Sequence, residues 1–220
     1  MQNFVSKSFQ DIFSPSVLAF VLKVGFGSIF LWVTVLWLTW DIYSNFIELY
    51  IQKIPLVGSW EWVQSGGSVF IALVVGYMLI IMTISAFTSL FSEPLLKKLA
   101  KVHYPEVEAD GVPSIGKSIF LTIKATLLFF IMFLVSFPLL FIPVLGQIWM
   151  LWLWGLLIKE PTSYDVGSLF PSQNGVDVKS KSMGITAMLA SLFNYVPLLN
   201  IFAPIFAQIL FLHQILGKNK

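Results

Sequence analysis

The chain has 220 residues, 57% of them hydrophobic and only 11% charged, with a mean hydropathy of +0.86 and a formal charge of +2. A soluble domain of this size cannot hide so much apolar surface, because a fair share of its residues must face water, so the sequence reads as an integral membrane protein with no basic face for nucleic acid. Cysteine is absent, which excludes disulfides and thiolate metal sites, and all thirteen basic residues are lysine, so any anion must be held without a guanidinium fork.

In chain order, Phe4, Val5, Phe9, Ile12 and Phe13 fall on one helical face, with Gln2, Ser6, Lys7 and Asp11 elsewhere. This predicts a short interfacial helix over residues 1–14. The segment has neither a cluster of positive charge nor a small-residue cleavage site and does not read as a cleaved leader. An apolar run over 16–40 follows, interrupted only by Lys23, which lies near enough to its start to snorkel to headgroups. Trp32, Trp37 and Trp40, then Trp60 and Trp62, bracket the next connection as an interfacial belt. Between them Phe46, Ile47, Tyr50, Ile51 and Ile54 recur with helical spacing, giving an amphipathic segment against the bilayer or a partner subunit.

A second span is predicted over 66–92, where Thr83, Ser85, Thr88 and Ser89 bond to their own helix or pack between helices. Pro94 then starts an amphipathic cytoplasmic helix over 94–104, with Ser92 or Glu93 as cap. Leu95, Leu96, Leu99 and Val102 form its apolar face, and Lys97, Lys98 and Lys101 face phosphates or water. With a cytoplasmic N-terminus, only Lys53 lies outside and the other twelve lysines fall at the inner face. That balance also puts the C-terminus in the cytoplasm, so each remaining apolar region must enter and return.

Those regions hold 34 uncharged residues between Lys124 and Lys159 and 36 between Lys181 and Lys218. As a straight helix either would be about 50 Å long, against a hydrocarbon core of about 30 Å. Each carries a matching turn at its centre, "FIPVLGQI" with Pro143 and Gly146, and "YVPLLNIF" with Pro197 and Asn200. The lengths predict helical hairpins over 119–158 and 182–217 whose legs, roughly 15 residues or about 22 Å, are re-entrant and penetrate part of the way. The alternatives are one long tilted helix kinked at the proline or, with Trp149, Trp152 and Trp154 in the outer belt, a first hairpin that spans completely. The fold expected is thus all-α and a single membrane domain over 1–220: two long transmembrane helices, two re-entrant hairpins and interfacial helices.

Irregular backbone inside a bilayer needs protein or a water-filled cavity around it. The second leg of each hairpin starts at the tip, so its free N–H groups and positive dipole end point inward, an arrangement suited to anions. Gln147, Asn194 and Asn200 add uncharged donors at the tips; Asn200 also suits a helix cap. His103 and His213 lie far apart in sequence, so no histidine metal site is expected, and His213 reads as an interfacial residue near Lys218. No enzyme constellation and no cofactor motif is present: there is no phosphate-binding lysine loop and no paired carboxylate within a span.

The order of elements, the turns "FIPVLGQ" and "SLFNYVPLLNIFAPIFA", and the "FSEPLLKKL" helix resemble the CysZ-type sulfate permeases, within a superfamily named for an etoposide-induced protein. The resemblance covers nearly the whole chain. It implies two long transmembrane helices with two partly penetrating hairpins, a homo-oligomer in the bacterial inner membrane, and sulfate or another small anion as solute. In those permeases a Pro-Gly-x-Arg-Arg segment on the first helix binds the anion. Here the matching stretch is Pro15-Ser16-Val17-Leu18-Ala19, and the arginine positions hold Leu18 and Ala19. Ser14, Ser16 and Lys23 are the groups left there, so the ligand residues expected are Ser14, Ser16, Lys23, Gln147, Asn194 and Asn200. The other function class is a non-transporting membrane scaffold or partner protein of the same fold.

Overall fold

Proline opens several of the helices, as a residue with no N–H to lose in the first turn should. Pro15 starts α2 (Pro15–Leu38), and Pro94 and Pro204 lie in the first turns of α5 (Glu93–His103) and α9 (Ala203–Leu216). The computed structural model describes residues 4–53, 61–172 and 181–217, and all regular structure among them is helical. The remaining α-helices are α1 (Phe4–Ile12), α3 (Trp40–Ile51), α4 (Glu61–Phe91), α6 (Ile115–Val135), α7 (Leu145–Gly167) and α8 (Lys181–Ser191). Gln2, Ile54, Trp60 and Lys218 lie outside the described residues, as do the side chains of Ile51 and Trp62.

The chain divides into two compact units, Leu22–Ala86 and the combination of Met1–Val21 with Phe87–Lys220. In the first, Trp32 Nε1 donates to Thr83 Oγ1 at 2.7 Å, and Thr83 in turn donates to the Leu79 carbonyl at 2.9 Å. A threonine hydroxyl can serve both its own helix and a neighbour, which is how helices associate where lipid removes the hydrophobic drive between them. Gly76 lets the Leu36 side chain close on α4, at 3.4 Å from where a Cβ would sit. Phe30, Trp37, Phe70 and Leu73 are exposed, as lipid-facing side chains of a span should be.

In the second unit α9 is the core. Every residue of it except Pro204 is buried, and α1, α5, α7 and α8 pack against it. Leu95, Leu96, Leu99 and Ala100 bury the inner face of α5, while Val102, expected on that face, is 67% exposed. Leu96 and Ala100, four residues apart, are the most deeply buried of that face, and Val102 lies off their line beside Lys101. On α1, Phe9 packs on Phe193 and Phe206, with ring centroids 6.0 and 5.0 Å away, and Ser8 and Asp11 turn inward.

Among the described residues, three helices are long and apolar enough to cross a bilayer: Pro15–Leu38, Val69–Phe91 within α4, and Ile115–Val135. The third coincides with the first leg of the hairpin expected over 119–158, but α6 begins at Ile115, ahead of Lys117 as well as Lys124, and so reaches span length. Both charges are accommodated: Lys117 lies over the Tyr164 ring at 4.6 Å, and Lys124 pairs with Glu160 at 2.8 Å. The 21 residues of α6 give about 32 Å, whereas α8 and α9, with 11 and 14, give only about 16 and 21 Å. Within the first hairpin, Trp149 donates to Ser136 Oγ at 2.7 Å and stacks on Trp152 at 4.6 Å.

Candidate functional site

The two central turns share one backbone design. Ile142 and Val196 are extended, as residues before proline tend to be. After each proline comes a residue in the left-handed region: Val144 at φ 65° and Leu198 at φ 72°. The Leu145 N–H donates to the Pro143 carbonyl at 2.7 Å, closing a γ-turn over Val144. The Gly146 N–H reaches Ile142 O at 2.8 Å, and the matching Asn200 N–H reaches Val196 O at 3.2 Å. The glycine serves close approach, since a Cβ at Gly146 would lie 2.6 Å from the Leu140 carbonyl oxygen. Beyond the second turn the chain makes a short 3₁₀ stretch, Leu199–Ile201, before α9, because Pro204 has no N–H to offer the Asn200 carbonyl.

A β-branched and a γ-branched residue at positive φ cost on the order of 1 kcal/mol each, and both are 71% exposed, so burial does not explain them. Val144→Gly and Leu198→Gly are therefore each expected to raise thermal stability in detergent, by about 1 kcal/mol. A loss of stability in either variant would place the value of these side chains in packing rather than in strain.

The tips meet. The Tyr195 hydroxyl donates to the Gln147 carbonyl at 2.8 Å, and the Trp154 and Tyr195 rings lie 5.2 Å apart. Of the predicted ligand residues, Gln147 is exposed at the first tip, and Asn194 and Asn200 are half-buried around the second. At the head of α2, Ser14 Oγ accepts the Val17 N–H at 3.4 Å, a weak cap, and Ser16 Oγ accepts from Lys98 Nζ at 2.7 Å. Lys23 is exposed further along α2. Pro143 and Pro197 directly precede the two residues of positive φ. The structure thus gathers two groups, Gln147 beside Tyr195 at the tips and Ser14, Ser16 and Lys98 at the head of α2. Sequence reasoning missed Lys98 as a partner of this segment, since 82 residues separate it from Ser16.

It missed a third cluster entirely. Asp11 of α1 takes two imidazoles at once: His103 Nε2 lies 2.9 Å from Oδ1 and His213 Nε2 lies 2.7 Å from Oδ2. His213 Nδ1 is 3.0 Å from the Tyr104 hydroxyl. The two histidines, distant in sequence, stand with ring centroids 5.0 Å apart, and His213 is fully buried rather than interfacial. The reason is the docking of α9 against both α1 and α5. Burial raises the Asp11 carboxyl, but the hydrogen bonds from His213 and His103 outweigh it and hold the group below its ordinary value of 3.8. The Tyr104 phenol is pushed up by burial and by the charges of Asp11 and Glu106. In α7, the buried Asp165 accepts a hydrogen bond from Ser89 at 2.9 Å.

A model of the family described as Sulfate transporter CysZ/Etoposide-induced protein 2.4 matches residues 4–204. No curated protein and no solved structure gives a significant match. The matched segment takes in the head of α2, α5 and both central turns, and it stops short of His213. With most of its length matched, three span-length apolar helices and an all-helical architecture, the chain belongs to the Sulfate transporter CysZ/Etoposide-induced protein 2.4 family of membrane proteins.

Proposed function

We propose that the protein is a channel-like permease for sulfate or another small inorganic anion, working as a homo-oligomer in a bacterial inner membrane with both termini in the cytoplasm. The observation that carries this reading is the hydrogen bond from Lys98 to Ser16 at the head of α2. The sequence resemblance assigns anion binding to this segment, and Leu18 and Ala19 cannot supply it. Lys98 brings a cation from α5 to the same place, beside the positive end of a 24-residue helix. A lysine gives a mobile point charge rather than a planar fork, which favours weak, fast exchange over tight binding and suits a path that must also release its solute.

On this reading the hairpin tips form the inner part of the path. The second hairpin is re-entrant, because its legs, α8 with Leu192–Tyr195 and Leu199–Ile201 with α9, come to about 25 and 27 Å and fall short of a core of about 30 Å. Gln147, Asn194 and Asn200 offer amide donors there, with the positive ends of α7 and α9 behind them. The first hairpin reaches further, since α6 alone has the length of a span.

The test is sulfate flux into liposomes carrying the purified protein. Lys98→Gln and Asn200→Leu are each expected to cut flux severalfold while leaving the folded oligomer intact. A second reading, a non-transporting scaffold, draws support from hydroxyls that satisfy themselves. Ser28, Thr34, Thr122, Ser136 and Ser191 each bond to the carbonyl four residues back and leave little to line a path. A well-folded oligomer with no flux of sulfate or of other small anions decides for the scaffold.

A further inference from the structure

Asp11, His103 and His213 come from three separate helices, yet their candidate donor atoms all lie within 4.8 Å of one another. We propose that this cluster is a binding site for one divalent first-row transition ion of the Zn²⁺ type, which clamps α1 to α5 and α9. Two imidazoles and a carboxylate are a donor set such ions favour, with a fourth position left for water or another ligand.

The geometry is near what an ion requires. Ligand bonds of about 2.0–2.2 Å in a tetrahedral arrangement separate neighbouring donors by roughly 3.3 Å. The observed Nε2–carboxylate separations of 2.9 and 2.7 Å, made to the two different oxygens of Asp11, open by about half an ångström, while the widest donor separation, within 4.8 Å, closes by up to about 1.5 Å. His103, with a side chain 25% exposed, forms the rim through which an ion enters and where the open position lies. His213 and Asp11 form the closed floor.

The surroundings fit as well. A metal-bound imidazole usually donates its other N–H to a fixed acceptor, which sets the tautomer and ring orientation. The Tyr104 hydroxyl, 3.0 Å from His213 Nδ1, can accept that hydrogen, leaving Nε2 for the ion. Without metal the same contacts work in the opposite sense, with Nε2–H donating to Asp11 and the phenol donating to Nδ1. The cluster can therefore exist as a hydrogen-bonded lock and take up an ion by shifting protons rather than by rebuilding its frame. Lys7, 5.4 Å above the Tyr104 ring, lies outside the donor set.

The composition makes the test clean. The chain has two histidines and no cysteine, so its only imidazoles are in this cluster and no thiolate competes. Full-length protein freed of any polyhistidine tag is stripped with chelator in detergent and then titrated with Zn²⁺, with Mg²⁺ as the oxygen-preferring control. About one Zn²⁺ per chain should stay bound through gel filtration and raise the melting temperature, while Mg²⁺ does neither. Co²⁺ should give the visible absorption of a tetrahedral nitrogen–oxygen site. His103→Gln, placed on the exposed rim so that folding is kept, should weaken Zn²⁺ binding by at least about tenfold. Folded wild-type protein that retains no stoichiometric Zn²⁺ overturns the proposal, as does a His103→Gln variant that binds as tightly as wild type. Either result leaves the cluster as a hydrogen-bonded lock alone.

Discussion

Asp11→Ala, compared with wild type in metal-stripped protein, is expected to lower the stability of the unit built on α9 by about 3 kcal/mol. The carboxylate accepts from two imidazoles, one of them on the fully buried His213. Removing it leaves a buried N–H with no acceptor, at a cost of about 1–3 kcal/mol, and strips a half-buried one of its partner. Asp11→Asn keeps one carbonyl acceptor and should lose about half as much. Thermal unfolding in detergent, followed by helical circular dichroism, reads both. A change below about 0.5 kcal/mol for the alanine variant would mean that α1 docks by Phe9 and Ile12 alone.

Gly146→Ala is the second large effect, expected to cost about 2 kcal/mol. The atoms that an added methyl would meet are the oxygen, carbonyl carbon and Cα of Leu140, at 2.6, 2.9 and 2.9 Å. All three are backbone, so no rotamer change can relieve the clash, and the turn must open. Gly184→Ala is the natural control, because nothing lies within 4 Å of a Cβ there and α8 is a helix interior. It should gain up to about 1 kcal/mol from helix propensity. Equal behaviour of the two variants would show that the first turn yields without cost. The Gly146 variant should also disturb sulfate uptake, since the Tyr195 hydroxyl rests on the carbonyl of the very next residue, Gln147.

The turns were legible in the sequence because proline acts locally: it forbids an amide bond and extends the residue before it, wherever the chain lies. The positive φ was not, since Val144 and Leu198 are residues that no local rule would place there. The span length of α6 was hidden by Lys117 and Lys124, charges that read as a boundary until Tyr164 and Glu160 are seen beside them. The burial of α9 escaped for a different reason. An apolar helix in a membrane protein looks alike whether lipid or protein surrounds it, because both are apolar. Its signal was polar: Gln208, His213 and Gln214 within one apolar helix are costly against lipid and therefore imply protein around them. That argument, applied to His213, would have pointed to the Asp11 cluster, although not to the carboxylate that completes it.

The central position of α9 also bears on how the protein is made. A ribosome releases this helix after α1, α5, α7 and α8, the helices that pack around it. Until then they lack the helix at the centre of the unit, and Asp11 lacks a histidine 202 residues downstream. The unit is therefore completed only once α9 has left the ribosome, although α7 can already pack on α6 and α8 before that. A nascent chain stalled before Ala203 would be a membrane-inserted intermediate lacking its central helix, and the fourteen residues of α9 would supply it.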